Sequence, residues 1–79
     1  MLELDFYHRI GCHLCEDMQH ELVALQTTLD FSLREIDIDR DPSLQARYGA
    51  LIPVLCLGGQ EICHYTLNPT ALREALEAG

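Results

Sequence analysis

Residues 2–15 read LELDFYHRIGCHLC and join a strand pattern to a pair of cysteines. Apolar residues alternate with polar ones at the start, and this period of two predicts a β-strand. After a predicted loop at 8–11, the apolar positions from about 13 to 29 follow steps of four and three, which predicts a helix. The two cysteines, Cys12 and Cys15, therefore lie where the first strand is followed by the first helix.

The next segment continues with a strand and a short helix. Apolar positions between 31 and 38 predict a second strand, which ends in Asp37-Ile38-Asp39. Asp41 followed by Pro42 is typical of a helix start, because a capping side chain precedes proline at the first helical position. This helix is predicted to end at Gly49, in the left-handed conformation that glycine favours.

The last third of the chain predicts a hairpin and a final helix. Residues 53–57 are nearly all apolar, and Gly58-Gly59 is a two-residue hairpin signal, so residues 60–65 are predicted to return as the paired strand. Asn68-Pro69 predicts the start of the last helix. The order β-α-β-α-β-β-α predicts an α/β fold in a single domain over residues 1–79, with a right-handed parallel β-α-β unit before the hairpin.

Composition and charge restrict the classes of partner. The chain has 79 residues, and its 13 acidic residues against 5 basic ones give a net charge of -8. This balance disfavours nucleic acid and anionic lipid as partners. No apolar run approaches the roughly 20 residues that span a bilayer, and the first residues lack the basic and apolar profile of a signal peptide. We therefore expect a cytoplasmic monomer with no membrane partner.

The Cys12-x-x-Cys15 pair predicts thiol–disulfide exchange. At a helix N-terminus, unpaired N–H groups and the helix dipole favour the thiolate of Cys12. Cys15 follows one helical turn later, within disulfide reach and more enclosed. Cys12 is therefore predicted to attack a disulfide, and Cys15 is predicted to resolve the mixed disulfide. A C-x-x-C pair at a strand-to-helix junction in a β-α-β domain is typical of redox proteins.

Two segments carry a resemblance to known redox proteins. Residues 7–15, Tyr-His-Arg-Ile-Gly-Cys-His-Leu-Cys, are similar to the strand, loop and active site of glutaredoxins, and residues 38–54 resemble the matching region of thioredoxins. The chain thus resembles the glutaredoxin-like small thiol–disulfide oxidoreductases, which implies the thioredoxin fold: a four-stranded mixed sheet flanked by helices. The resemblance also implies a cis peptide bond before Pro53, beside the redox pair, and substrate pairing at the backbone of Ile52.

The same resemblance indicates where a substrate would bind. Arg9 lies where many glutaredoxins place a lysine for a carboxylate of glutathione. Cys63 and His64 occupy the region in which glutaredoxins carry a Gly-Gly pair followed by an acid. Because the glycine pair and the acid are missing, glutathione is expected to be a poor partner compared with a protein disulfide. No cofactor is predicted, and the thiol reductant, glutathione or a thioredoxin reductase, is left open.

Three further titratable side chains lie close to the pair in sequence. A protonated His13 would lower the pKa of the Cys12 thiol, and the alternative is an exposed histidine without a role. His8 is predicted to be a solvated loop residue. In thioredoxins a buried aspartate relays the proton of the resolving thiol, and Asp5 is the candidate here; the favoured alternative places Asp5 in solvent.

The other two cysteines keep different functions open. With Gly58-Gly59 as the turn, Cys56 is predicted to face Glu61 and to share a sheet face with Cys63, too far away for an unstrained disulfide. Packing is the favoured role of Cys56, and Cys63 is a possible secondary thiol. Four thiols would suffice for tetrahedral zinc, so a zinc or iron–sulfur protein is one alternative, although no metal ligand is predicted. A non-catalytic thioredoxin-fold adaptor is another.

Overall fold

The computed structural model describes residues 1–79 and places four strands in one mixed sheet. The strands are β1 (Leu2–His8), β2 (Phe31–Asp37), β3 (Val54–Leu57) and β4 (Gln60–His64). Their order across the sheet is β2-β1-β3-β4. β1 runs parallel to β2 and antiparallel to β3, and β3 and β4 form an antiparallel hairpin. The predicted β-α-β-α-β-β-α order is confirmed.

Three α-helices cover the sheet: α1 (His13–Leu25), α2 (Pro42–Tyr48) and α3 (Pro69–Ala78). Each begins after a residue whose side chain accepts a backbone N–H of the first turn, namely Cys12, Asp41 and Asn68. Such caps satisfy donors that have no partner within the helix. None of the three helices has the length and apolar character needed to cross a bilayer.

Two helix ends differ from the sequence prediction. α1 ends at Leu25 rather than near residue 29. Just after this end, the hydroxyls of Thr27 and Thr28 donate to backbone carbonyls three residues earlier. Such local bonds compete with the helical ladder. Gly49 follows α2 as predicted, but its φ of -54° is right-handed, so the predicted left-handed cap is wrong. The chain leaves α2 instead through a tight turn on the Tyr48 carbonyl.

Each face of the sheet carries its own core, because side chains alternate along the strands. On the face covered by α1 and α3, called the α1/α3 face, eight buried residues form the larger cluster: Leu4, Phe6, Cys15, Met18, Leu22, Phe31, Leu55 and Leu72. On the face covered by α2, called the α2 face, the smaller cluster consists of Ile38, Tyr48, Val54 and Cys56. The redox pair therefore belongs to the larger core.

A β-bulge in β4 alters the predicted side-chain pattern of the hairpin. Cys56 lies opposite Glu61, as predicted, but Cys63 lies opposite Leu55, which makes Ile62 the extra residue. An extra residue moves every later side chain to the other face of the sheet. Cys63 consequently packs against the larger core and not beside Cys56. The prediction that the two cysteines share a face is therefore wrong.

Candidate active site

Cys12 and Cys15 form a disulfide at the junction of β1 and α1, with their Cα atoms 5.2 Å apart. Cys12 is the N-cap of α1, and its Sγ accepts the backbone N–H of Cys15 at 3.1 Å. After reduction, this sulfur would lie where a free amide group and the positive end of the helix dipole stabilise a thiolate.

The two sulfurs differ in access. Cys15 is 3% exposed and belongs to the larger core, together with Phe6 and Met18. Cys12 packs against the same core but is only partly buried. An approaching disulfide therefore meets Cys12, while Cys15 lies behind it. The predicted roles of an attacking and a resolving thiol require such a difference in access, and the roles themselves stay predictions.

The loop before β3 lies on the same core. The Ile52–Pro53 peptide bond is cis, as the resemblance implied, and Pro53 is buried. Ile52 packs against both clusters, and its N–H donates to the carbonyl of Tyr48 at 3.1 Å. Its own carbonyl accepts no backbone hydrogen bond. Backbone pairing with a substrate at Ile52 stays a prediction, and this free carbonyl is the group that would accept the hydrogen bond.

Arg9 is already paired within the chain. Its Nε donates to both carboxylate oxygens of Asp39, at 2.8 and 3.0 Å. The amide of Gln45 also donates to Asp39, at 3.2 Å. The Arg9 guanidinium, helped by this amide, holds the pKa of the Asp39 carboxyl below its ordinary value. The cation predicted for a carboxylate of glutathione therefore has an internal partner.

The segment after β4 closes over the cis-proline loop. Tyr65 has a φ of 64°, the left-handed region that favours glycine. Its N–H donates to the carbonyl of Pro53 at 2.9 Å, and its hydroxyl donates to the carbonyl of Ala50 at 2.9 Å. Sequence reasoning did not select Tyr65 for a role. The absence of the glycine pair that glutaredoxins carry in this region was a signal, because side chains here occupy space through which a ligand would otherwise approach the backbone.

The two predicted substrate positions on β4 have different surroundings. Cys63 is half-buried on the α1/α3 face, and burial raises the pKa of its thiol, against a weaker lowering by the backbone N–H of Asn68. The Nδ1 atom of His64 lies 2.7 Å from a carboxylate oxygen of Glu61, so this histidine is directed toward an acid within its own strand. Cys63 shares the face of the disulfide, and His64 is occupied elsewhere.

The histidines near the pair lie in different places. His13 is exposed in the first turn of α1 and makes no side-chain ion pair, so its role stays a prediction. His8 was predicted to be a solvated loop residue, which is wrong. It is the last residue of β1, it is half-buried, and its ring stacks on Phe6 with centroids 5.4 Å apart. The alternation of Leu4 and Phe6 toward the larger core, extended by two residues, was the signal.

Asp5 does not lie beneath the disulfide. It pairs across the sheet with Cys56, and its carboxylate accepts a hydrogen bond from Arg34 at 2.9 Å. Since Phe6 points to the α1/α3 face, its neighbour Asp5 points to the other one. Both earlier readings are therefore corrected: Asp5 is neither a relay below Cys15 nor a fully solvated residue, since its side chain is 17% exposed.

The four cysteines do not converge on one point. Cys12, Cys15 and Cys63 pack on the α1/α3 face, whereas Cys56 belongs to the cluster on the α2 face. A tetrahedral site needs its ligands around a single centre. The sheet thus separates Cys56 from the other three thiols, and no three His, Cys, Asp or Glu side chains lie together as a metal site.

Comparisons with known proteins agree with this geometry. The Glutaredoxin-like domain (DUF836) family matches residues 3–77. The solution structure of protein Ne2328 from Nitrosomonas europaea is 37% identical, with a TM-score of 0.83 over 94% of this chain and 89% of that one. The X-ray structure of protein XcR50 from X. campestris is 34% identical, with a TM-score of 0.71 over 96% of this chain and 97% of the other.

A thioredoxin shares the same architecture. Oxidised mitochondrial thioredoxin 3 from Saccharomyces cerevisiae is 25% identical, with a TM-score of 0.63 over 98% of this chain and 77% of that one. The likeness covers the whole sheet and all three helices, so the predicted fold class is confirmed. With the family match over nearly its full length, the chain belongs to the glutaredoxin-like domain family, and its fold is that of thioredoxin.

Proposed function

We propose that the protein is a thiol–disulfide oxidoreductase that reduces or exchanges disulfides through Cys12 and Cys15. The observation that carries this proposal is the difference between the two sulfurs. One caps a helix and is accessible, and the other is 3% exposed one turn later. Both thiols come from a single chain, so the reaction needs one copy of the protein.

The reaction proceeds in two exchange steps. The Cys12 thiolate attacks one sulfur of the substrate disulfide, and the other sulfur leaves as a thiolate that takes up a proton. Cys15 then loses its proton and attacks the Sγ of Cys12, which forms the Cys12–Cys15 disulfide and releases the second substrate thiol. The substrate gains two electrons and two protons. A thiol reductant then supplies two electrons and two protons to the Cys12–Cys15 disulfide, which restores the dithiol.

A protein disulfide is the better substrate for this site. Large apolar side chains border the reactive sulfur in sequence, and Ile10 is 82% and Leu14 44% exposed. Tyr65, in the segment after β4 that closes over the cis-proline loop, is 45% exposed. Contiguous exposed apolar patches are typical of surfaces that bind other proteins, and these three side chains are the candidates for such a patch beside the disulfide. Glutathione offers little apolar surface, and Arg9, the cation proposed for its carboxylate, is held by Asp39.

The reducing cytoplasm suits such a cycle, because thiol reductants there keep the dithiol available. The test is a comparison of two disulfide probes under the same reductant: a peptide joined to a second peptide by a disulfide, and a peptide that carries glutathione. We expect faster reduction of the first, measured as released thiol. Glutathione and a thioredoxin reductase are then compared as electron donors.

Two variants and a metal measurement complete the test. Cys15→Ser should accumulate a mixed disulfide with the peptide, seen by mass spectrometry, and Cys12→Ser should form none. Wild-type turnover by Cys12→Ser would contradict the proposal. Stoichiometric zinc or iron in reductant-treated protein, with no disulfide reduction, would instead favour the metal-binding alternative.

A further inference from the structure

A small cavity lies behind the redox pair. It has a volume of about 220 Å³ and runs between the end of β1 and the first turns of α1. Its lining includes the buried Cys15 and four polar side chains: His8, Arg9, Glu16 and Gln19. This volume exceeds the roughly 10–15 Å³ that one water molecule requires. A water molecule in this cavity would therefore lie next to the buried Cys15 thiol.

His8 is held at this cavity by its strand. β1 directs Leu4 and Phe6 into the larger core, and His8 continues the same side of the strand. Its ring stacks on Phe6 at an interplanar angle of 12°. Phe6 and Cys15 belong to the same cluster, so the imidazole extends that cluster toward the cavity. The ring is thus fixed in orientation and not free in a loop.

The resolving step requires a group that accepts the proton of the Cys15 thiol. To resolve a mixed disulfide, a thiol must first lose its proton, because the thiolate is the nucleophile. Burial in an apolar core disfavours the charged form of a thiol. Cys15 is 3% exposed and packs beside Phe6 and Met18. A nearby group that accepts this proton would remove the obstacle, and a neutral imidazole has one ring nitrogen that can accept it.

We infer that His8 is the proton acceptor for Cys15 in the resolving step, an inference that rests on the proposed function. The imidazole takes the proton of the Cys15 thiol, directly or through water in the cavity. The resulting Cys15 thiolate attacks Cys12 Sγ, the sulfur–sulfur bond to the substrate breaks, and the substrate leaves as a thiolate. The proton on His8 then passes to that thiolate or to solvent. In the reverse direction, His8 returns a proton to Cys15.

Acidic side chains of two elements, α1 and β2, lie around His8. Glu16 lines the same cavity from α1, and Gln19 of that helix donates to Glu35 on β2. Asp37 lies opposite His8 in the strand register, with its carboxylate accepting the N–H of Asp39.

The cation among these neighbours is Arg9, which is paired with Asp39.

The experiment separates attack from resolution. His8→Phe keeps an aromatic ring over Phe6 but has no proton acceptor. His8→Gln keeps a polar side chain but has no imidazole. His20→Gln is the matched control, since His20 is an exposed histidine of α1. Rapid-quench kinetics with the disulfide-linked peptide measure formation and loss of the mixed disulfide from pH 5.5 to 9. The ¹³Cβ shift of Cys15 in the reduced protein, followed by NMR, gives its titration midpoint without any turnover.

We expect both His8 variants to resolve the mixed disulfide at pH 7 at least about tenfold more slowly, and to move the Cys15 midpoint to higher pH. Formation of the mixed disulfide should stay within about twofold of wild type, because Cys12 keeps its helix cap. The His20→Gln control should match wild type in both measurements. A defect that persists in His8→Phe is not a loss of packing, since the ring remains.

Three results would overturn the inference: wild-type resolution in both His8 variants, an unmoved Cys15 midpoint, or a defect that appears in Glu16→Gln instead. If the wild-type protein formed no mixed disulfide at all, the proposed function would fail. The Cys15 midpoint in the His8 variants would still decide whether His8 acts on this thiol.

Discussion

Cys12 and Cys56 differ in the surroundings of their sulfur atoms. Cys12 caps α1 at the border of the larger core, where an N–H group already bonds its sulfur and solvent reaches it. Cys56 is 2% exposed on the α2 face, and burial raises the pKa of its thiol, against a weaker lowering by the neighbouring Tyr48 side chain. The same residue type is thus prepared for reaction by one face and for packing by the other.

The aromatic side chains show the same difference. On the α2 face, the ring of Tyr7 stacks on Tyr48 with centroids 4.2 Å apart, and the Arg47 guanidinium lies 5.2 Å from the Tyr48 ring. These contacts close that face around Cys56. On the α1/α3 face, the stack of Phe6 and His8 borders a cavity that reaches Cys15. The packing of the aromatic side chains around a thiol therefore determines whether solvent can reach it.

The largest expected effect tests this contrast directly. Cys12→Ser should lower reduction of a peptide disulfide by at least about a thousandfold, because a hydroxyl replaces the nucleophile. Cys56→Ser should leave the rate within about twofold of wild type. In the reduced wild-type protein near neutral pH, limited alkylation read by mass spectrometry should label Cys12 first. Preferential labelling of Cys56 would contradict the assignment of the reactive face.

The second prediction compares the two cores. Leu72→Ala should lower the free energy of unfolding by about 2–5 kcal/mol, since Leu72 is fully buried in the larger cluster. Leu44→Ala, on the rim of the smaller cluster, should cost clearly less because its side chain is only partly buried. Urea unfolding followed by circular dichroism gives both values. Equal losses would mean that the α2 face carries as much stability as the larger core.

The third prediction concerns alkaline pH. Burial raises the pKa of Tyr48 to about 12, against about 10 in an unfolded chain. The folded protein then holds this proton more tightly, so its contribution is complete below pH 10 and is lost as the pH rises toward 12. The loss amounts to at most about 3 kcal/mol. Tyr48→Phe should flatten the urea-unfolding profile over this range, whereas an unchanged slope would exclude Tyr48 as its source.

Local patterns were sufficient to predict most of the fold. The period of two in β1, the caps Asp41 and Asn68, and the glycine turn each act over a few residues, and the structure has them where they were predicted. The position of Cys12 at the N-terminus of α1 followed from the same reasoning, but its bond to the Cys15 N–H did not. These features depend on backbone hydrogen bonds and side-chain spacing, which the sequence states directly.

The features that escaped prediction depend on the partner strand or on the end of an element. The bulge at Ile62 moved Cys63 to the face of the disulfide, and no local signal marks an extra residue in one strand. His8 was assigned to a loop because β1 was ended one residue too early, so its place on the core face was missed. Arg9 was assigned to a ligand because its partner, Asp39, is 30 residues away.

The smallest expected effect concerns that last pair. The side chains of Arg9 and Asp39 are 40% and 43% exposed, so water screens the pair and it adds little to the fold. Arg9→Ala should therefore change reduction of the peptide disulfide by less than about twofold.

Asp39→Asn sharpens the comparison, because it leaves the Arg9 guanidinium without a charged partner. Turnover of a glutathione-carrying peptide should then rise, by about two- to threefold, while turnover of the peptide disulfide stays unchanged, since a surface pair is worth little. The matched control is Asp17→Asn, an exposed aspartate of α1 that makes no ion pair. A large loss of glutathione turnover in Arg9→Ala, with no gain in Asp39→Asn, would show that Arg9 binds glutathione despite its internal partner.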